Sequence, residues 1–189
     1  MDLSAVNIRK FEVLDVSTLF LPCVHPMEEL QLEMILLFWL MSVNGAPVLL
    51  TKLANKRFDY PIDCNRLFFD DRPILGASKT FRGLVAALLM SLLIGSLFAI
   101  PLLTSLLFGT LSMAGDMTSS FIKRRLGLTP SAMALGLDQI PESLFPLLGC
   151  KVLLGISAAQ IFSIVLAFFL LELILSRILF LLHIRKTPY

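Results

Sequence analysis

Acidic residues in this sequence stand close to basic ones, inside or beside long apolar runs. Asp116 is followed two helical turns later by Lys123, and Asp138 is followed by Gln139 and Glu142. Asp138 and Glu142 are four residues apart, so a helix places both on one face. Carboxylates gathered at one depth form a hard-oxygen site that suits Mg²⁺. Asp116, Asp138 and Glu142 are therefore candidate metal ligands.

Basic side chains flank these acids on both sides of the chain. Lys79, Thr80 and Arg82 precede one apolar run, and Lys123 and Arg124 follow another. Magnesium held by carboxylates and flanked by lysine and arginine suits nucleotidyl or phosphoryl transfer, which requires positioning of phosphates and neutralisation of their oxyanions. A plainer interpretation is that these cations only set the topology by meeting anionic lipid headgroups.

The composition indicates a membrane protein. Apolar residues make up 57% of the 189 residues and charged residues 16%, whereas a soluble domain has about 25% charged residues. A net charge of +2 is too small to indicate nucleic-acid binding. The cysteines Cys23, Cys64 and Cys150 are far apart, so the sequence predicts neither a disulfide framework nor a zinc site.

The length of one uncharged run places a carboxylate inside the membrane. Residues from Leu84 to Gly115 carry no charge and would form a helix of roughly 48 Å, whereas the hydrocarbon core is about 30 Å thick. Pro101 is the predicted break, so the run is a helical hairpin. The second helix must then continue to about Phe121 to span the core, which places Asp116 within the bilayer.

Two further apolar regions complete the predicted architecture. Residues from Ile140 to Ile184 must fold back, and the predicted turn is Gly149 to Gly155. An earlier span runs from about Leu30 to Leu50 with a polar break at Asn44 to Pro47. Glu172 and Arg177 are interpreted as a structural pair or as interfacial residues. The predicted fold class is all-α, a polytopic membrane protein with about five transmembrane helices and two cytoplasmic loops.

The distribution of lysine and arginine predicts the orientation and the boundaries. The segment from Lys52 to Arg82 holds seven lysine and arginine residues. If the chain crosses the membrane five times, this segment lies on the same side of the membrane as Lys123 to Arg125 and the C-terminal tail. The positive-inside rule then puts both long loops and the site in the cytoplasm and the N-terminus outside, in the cell (inner) membrane. Residues 1–28 form an N-terminal extension in which a short surface helix is compatible with Val13 to Val24, and residues 29–189 form the membrane domain.

Several segments resemble, in order, the motifs of the CDP-archaeol synthase family, which is related to the CDP-diacylglycerol synthases. The resemblance covers roughly residues 30 to 185, and the combination is more specific than any single piece. The matching segments are NGAPVLL at Asn44 to Leu50, PID at Pro61 to Asp63, DDRPILGASKTFRG at Asp70 to Gly83, GDMTSSFIKRRLG at Gly115 to Gly127 and LDQIPESL at Leu137 to Leu144.

The resemblance implies a five-helix, magnesium-dependent membrane enzyme. Its substrates would be CTP and a lipid phosphate, and its products pyrophosphate and a CDP-lipid. The implied catalytic residues are Asp116, Asp138, Lys79 and Lys123, with Asp116, Asp138 and Glu142 at the metal. The implied substrate-binding residues are Asn44, Asp63, Thr80, Arg82, Arg124, Gln139 and Glu142.

One departure from the family pattern concerns the second acid of the fourth helix. Family members tend to read DQ-x-D, whereas here Pro141 separates Asp138-Gln139-Ile140 from Glu142. Proline is tolerated in a first helical turn, and Glu142 supplies a carboxylate one position later. The departure indicates a divergent, bacterial-type member whose acceptor is either an ether-linked isoprenoid or a diacyl glycerol phosphate.

Two other hypotheses stay open at this point. The first is a small membrane transporter or accessory protein in which Asp116 and Glu142 line an ion or substrate path. The second keeps the site but changes the reaction to CTP-dependent phosphorylation of a lipid alcohol. The sequence is also compatible with a homo-oligomer.

Overall fold

The computed structural model of the protein describes residues 29–53, 59–128 and 134–181. The predicted N-terminal extension, residues 1–28 with its surface helix, lies outside these ranges. So does the basic C-terminal tail. The boundaries of the predicted membrane domain, 29–189, stay a prediction.

The described ranges are helical, which confirms the all-α prediction. The helices are α1 Glu29–Leu53, α2 Phe81–Leu97, α3 Leu102–Arg125, α4 Gln139–Gly149, α5 Lys151–Leu154 and α6 Ala158–Leu181. The β pairing found in the described ranges consists of two isolated bridges, Pro61 with Thr80 and Leu67 with Pro73. Both bridges lie in the connection between α1 and α2, which is called here the α1–α2 loop.

Two helices are long and apolar enough to cross a bilayer, and they lie at the two ends of the described chain. These are Leu30–Thr51 and Ala158–Ile178, while Phe81–Leu97 is apolar but shorter. Many large apolar side chains on α1, α2 and α6 are exposed, as expected for helices that face lipid tails. The polytopic membrane fold follows, while the number of five spans stays a prediction.

The first helix is continuous, so the predicted polar break at Asn44 to Pro47 is wrong. Pro47 lies inside α1, where it removes a backbone N–H donor. In membrane helices such a proline is tolerated because neighbouring side chains satisfy freed carbonyls. The carbonyl that loses its helical donor here is that of Val43, four residues before Pro47, and α1 nevertheless continues to Leu53. The helix therefore carries Asn44 unbroken towards the α1–α2 loop.

The hairpin at Pro101 is confirmed, and small residues hold its two arms together. A Cβ at Gly95 would overlap Ser105, and one at Gly109 would collide with Ser91. Such close approach is how membrane helices pack without a hydrophobic driving force. The helix bounds differ from the predicted ones, since α2 begins at Phe81 and α3 continues to Arg125.

A hydrogen-bonded chain crosses the centre of the bundle from α1 to α3. Trp39 Nε1 donates to Ser91 Oγ at 3.0 Å, and Ser91 Oγ donates to the carbonyl oxygen of Ser105 at 2.7 Å. The Trp39 ring stacks on Phe108 with centroids 4.0 Å apart. Because all these side chains are buried, Ser91 fixes how α1, α2 and α3 meet.

The predicted turn at Gly149 to Gly155 is confirmed. The helix before the turn, α4, is shorter than a helix that spans the whole bilayer. Helix α4 has 11 residues, about 16 Å, and a four-residue helix follows it before Gly155 adopts a left-handed conformation with φ of 66°. A left-handed residue ends a helix most readily as glycine. Helix α4 therefore reaches only part of the way across the bundle.

Replacing Ser91 with alanine should destabilise the bundle by about 1–3 kcal/mol, because the buried indole N–H of Trp39 loses its acceptor. The measurement is thermal unfolding of the purified protein in detergent. Ser96→Ala is the matched control, since Ser96 lies exposed on the same helix and donates only to the carbonyl of Leu93. Equal melting temperatures for the two variants would contradict the role given to Ser91.

Candidate active site

An ion pair joins the end of the α1–α2 loop to the middle part of α3. Lys79 Nζ lies 2.5 Å from Asp116 Oδ2, and each side chain is about one-fifth exposed. Asp116 lies about 21 Å from the start of α3, beyond the apolar half of that helix. A carboxylate at this depth requires a partner, and Lys79 provides it. We call the end of the bundle that holds this pair the basic end.

A second ion pair joins the last turn of α3 to the start of α4. Lys123 Nζ lies 2.7 Å from Asp138 Oδ1, and Lys123 is buried. Asp138 Oδ2 also accepts the backbone N–H of Ala134 at 3.1 Å, and Gln139 Oε1 accepts that of Gly136 at 2.9 Å. Asp138 and Gln139 therefore also shape the turn that leads into α4.

Glu142, in the first turn of α4, is only 7% exposed. Its carboxylate is within electrostatic range of Asp116, Lys79, Asp138 and Glu172. A Cβ on Gly115 would overlap the backbone of Pro141 and Glu142, so α3 and α4 touch where the two acids stand. The absence of a side chain at Gly115 therefore allows α4 to pack closely against α3 next to these two acids.

Glu172 on α6 belongs to the same acidic neighbourhood, which the sequence did not indicate. Like Asp116 on α3, it lies about 21 Å from the start of its helix. Glu172 lies thirty residues after Glu142, and no helical spacing relates the two residues in the sequence. The available signal was the charge of Glu172, because ionisable residues in membrane helices are functional candidates by default.

Asn44 faces the same region from α1. Its Oδ1 accepts a hydrogen bond from Ser112 Oγ at 3.1 Å, one turn before Asp116 on α3. Its Nδ2 is buried and has no hydrogen-bond partner among the described residues. The oxygen of this amide has a hydrogen-bond partner, and its nitrogen can donate to the acceptor atom of a ligand.

Asp63 organises the α1–α2 loop from within. Its Oδ2 accepts the backbone N–H groups of Leu75 at 2.9 Å and Gly76 at 2.8 Å, and its Oδ1 accepts that of Asn65 at 3.0 Å. Partial burial favours a higher pKa for Asp63, but these backbone donors outweigh it and lower the pKa below the usual value. Asp63 therefore shapes the loop that delivers Lys79.

Thr80 and Arg82 lie where this loop turns into α2. Thr80 is the N-cap of α2, and its Oγ1 accepts the backbone N–H of Gly83 at 3.3 Å. The side chain of Arg82 is buried, and its Nη2 lies 3.1 Å from Asp59 Oδ1. Both residues flank Lys79 at the mouth of the bundle.

Reciprocal arginine contacts fasten the α1–α2 loop to the end of α3. Arg125 Nη1 lies 2.5 Å from Asp70 Oδ1, and its Nη2 donates to the carbonyl oxygens of Arg72 and Pro73. In return, Arg72 Nη1 donates to the carbonyl oxygens of Arg124 and Arg125, two of the orphan acceptors at a helix C-terminus. A cavity of about 260 Å³ lies beside this clamp. It is lined by Arg72, Pro73, Arg124, Gly127 and Leu128.

The acids at the basic end provide the oxygen donors that a magnesium site needs, but they are not grouped closely enough to form one in this structure. Within the described ranges, no group of three or more His, Cys, Asp or Glu side chains is close enough to hold a metal ion. Asp116 and Asp138 are each paired with a lysine, and the buried Glu142 is within electrostatic range of both aspartates. Carboxylate oxygens are the ligands that Mg²⁺ prefers, so the donor set fits the ion while its assembly stays a prediction.

The structure brings most of the predicted site residues to one end of the bundle. Lys79, Asp116, Lys123, Asp138 and Glu142 form its charged centre. Asn44, Thr80, Arg82, Arg124 and Gln139 lie around that centre, and Asp63 acts through the loop. The roles of these residues in catalysis, substrate binding and metal binding stay predictions.

Known proteins match both the sequence and the fold. The sequence model of the CDP-archaeol synthase family (CarS-like) matches residues 56–189. The CDP-archaeol synthase of Sulfurisphaera tokodaii is 35% identical over 135 residues, which cover 68% of this chain and 81% of that protein. That of Hyperthermus butylicus is 42% identical over 106 residues, which cover 53% of this chain and 60% of the relative.

A solved structure is similar over most of the fold. It belongs to a protein described as an intramembrane enzyme for archaeal membrane lipids biosynthesis. The TM-score is 0.64 and the identity 29%, over 76% of this chain and 91% of the other. The predicted family resemblance is thereby confirmed, while the bacterial type of this chain stays a prediction.

The α1–α2 loop should loosen in acid because the folded pKa of Asp63 is lowered. The stabilisation that Asp63 contributes is fully present above the unfolded pKa of about 3.9 and is lost as the pH falls through the folded value. Limited proteolysis or amide exchange at Leu75 and Gly76 across this pH range measures it. Asp63→Asn should abolish that pH step, and an unchanged step in the variant would contradict the assignment.

Proposed function

The chain belongs to the CDP-archaeol synthase family, whose members are CTP-dependent cytidylyltransferases that activate a lipid phosphate to a CDP-lipid, and we propose that its basic end is where this reaction takes place. The observation that carries the proposal is the pair of lysine–carboxylate contacts, Lys79 with Asp116 and Lys123 with Asp138. Both pairs stand beside the buried Glu142. This alternation of charges suits a ligand that brings phosphates and a cation together.

The basic residues hold the phosphates of CTP in this proposal. Lys79 and Lys123 each need only exchange a carboxylate oxygen for a phosphate oxygen, so their charges stay matched throughout. Arg82 and Arg124 lie on either side and present planar guanidinium groups that suit phosphate. Asn44 on α1 donates a further hydrogen bond to the phosphates from Nδ2, which has no partner among the described residues.

The acidic residues hold magnesium in this proposal. Asp116, Asp138 and Glu142 are the ligands, and the bound ion neutralises the charge of the triphosphate. Support comes from the burial of Glu142 and from its neighbourhood with the two aspartates. Gln139 acts through the turn that positions Asp138.

The reaction itself requires no side-chain nucleophile. A phosphate oxygen of the lipid attacks the α-phosphorus of CTP, a new P–O bond forms, and the bond to the β-phosphate oxygen breaks in line with it. The electron pair of that bond leaves with pyrophosphate. The chain contributes positioning and charge, which is how phosphoryl and nucleotidyl transfer is chiefly accelerated.

The membrane determines how the two substrates meet. The basic residues around the site favour a cytoplasmic active site in a cell membrane under the positive-inside rule, so CTP arrives from the cytoplasm. The lipid acceptor stays in the bilayer and presents its phosphate to the basic end from the headgroup layer. The names of the relatives favour an ether-linked isoprenoid glycerol phosphate over a diacyl one.

The other hypotheses have less support. Neither a transporter or accessory protein nor a CTP-dependent lipid kinase is supported by the similar proteins. The by-product distinguishes the kinase directly, since cytidylyl transfer releases pyrophosphate whereas phosphorylation by CTP releases CDP.

Asp116→Asn should lower CDP-lipid formation by at least about 100-fold, because the amide provides neither a charged metal ligand nor a partner for Lys79. The assay combines purified protein, magnesium, labelled CTP and separate ether-linked and diacyl glycerol phosphates, with products identified by mass spectrometry. The ether-linked acceptor should give the higher kcat/KM.

Asp71→Asn is the matched control for this variant. Asp71 is an exposed acid of the α1–α2 loop with a φ of 56°, a conformation that asparagine adopts readily. Its activity should equal that of the unmodified protein. Full activity of Asp116→Asn, or CDP as the by-product, would overturn the proposed function.

A further inference from the structure

The tip of the α1–α2 loop exposes an aromatic side chain beside the end of a membrane helix. Phe69 is 97% exposed, and Leu67 before it is also exposed. The tip is nevertheless ordered, because Phe68 N–H donates to the carbonyl oxygen of Arg72 at 2.8 Å and Leu67 pairs with Pro73. Leu67, Phe68 and Phe69 together form an exposed apolar patch on a fixed turn, and such a patch indicates a contact surface.

The position of the tip along the membrane normal follows from α3. This helix has 24 residues, about 36 Å, so it exceeds a hydrocarbon core of about 30 Å by roughly one turn. The exposed leucines Leu102 and Leu103 mark its opposite end. Phe121 therefore lies near the boundary of the core, and Lys123 to Arg125 lie in the headgroup layer.

A row of three rings connects that boundary to the tip. Phe68 contacts Phe121 edge to face with centroids 5.4 Å apart, and Phe69 contacts Phe68 with centroids 5.0 Å apart. Arg125 lies over the rings of both Phe68 and Phe121 and binds Asp70 at the tip. The Phe69 ring is thus held within two ring contacts of the lipid boundary.

We propose that Phe69, with Leu67, inserts into the headgroup layer of the membrane and anchors the α1–α2 loop there. The partner is the lipid surface itself, which is continuous with the surface that the exposed leucines of α2 and α3 already face. Phenylalanine and leucine are among the side chains that interfacial segments bury at the boundary between headgroups and acyl chains. Of the two acids at the tip, Asp70 is neutralised by Arg125, and Asp71 is exposed.

The anchor gives the loop a third point of attachment. Lys79 ties the loop to Asp116, Arg125 ties it to the end of α3, and Phe69 ties it to lipid. Lys79 belongs to this same loop, so the anchor helps to keep its side chain in contact with Asp116. The proposal depends on membrane embedding alone and would survive a different reaction at the basic end.

Tryptophan at position 69 measures the depth directly. The chain contains one tryptophan, the buried Trp39, so the emission that Phe69→Trp adds in nanodiscs reports the tip. We expect this added emission to be blue-shifted, shielded from iodide, and lost when the lipids carry a quencher near the headgroup. Leu67→Trp should respond in the same way and provides a second measurement if either variant fails to fold.

Phe38→Trp is the depth control, because Phe38 is exposed near the middle of α1. Its emission should be lost with a quencher deep in the acyl chains and not with the shallow one. Emission from position 69 that iodide removes and lipid quenchers spare would overturn the proposal. Blue-shifted emission that no lipid quencher affects would also overturn it and would indicate a protein contact instead.

Discussion

Asp116 is a carboxylate on an apolar helix, and a charge at that depth is stable only if an opposite charge reaches it. Lys79 is the described residue that does so, and it comes from a loop rather than from a neighbouring helix. The loop must therefore enter the end of the bundle and stay there. The internal hydrogen bonds of Asp63 and the contacts of Arg125 with the loop hold it in this place. The fixed structure of the loop therefore follows from the need of Asp116 for an oppositely charged partner.

The contact between α3 and α4 brings a second acid to the first. Gly115 allows the backbone of Pro141 to approach α3 without a gap, and Glu142 follows directly. Because Pro141 lies in the first turn of α4, its missing N–H removes no helical hydrogen bond. The displaced acid of the sequence motif thus stands four residues after Asp138 and beside Asp116. A buried carboxylate in that position is costly unless a ligand compensates it, which is the physical reason to regard the cluster as functional.

Arguments from length predicted the fold well. The run that contains Pro101 was too long for one span, and the turn at Gly149 to Gly155 followed in the same way. Local patterns were weaker, since the polar residues around Pro47 suggested a break, whereas α1 continues through them to Leu53. Within the site, the residue types and their shared depth were predictable, whereas the partners were not. No spacing relates Lys79 to Asp116 or Glu172 to Glu142, because the fold of the α1–α2 loop brings the first two together and the packing of α4 with α6 brings the second two into range.

The central claim is that the buried acids and the two lysines form one site for CTP and magnesium. Calorimetric titration of CTP into the purified protein tests it most directly when Glu142→Gln is compared with the unmodified chain. This substitution keeps the shape of the side chain and removes only its charge. The account predicts that the unmodified protein binds CTP only when magnesium is present and that the variant, equally stable to heat, binds at least about tenfold more weakly. Equal affinity in both proteins, or binding of CTP that ignores magnesium, would contradict it.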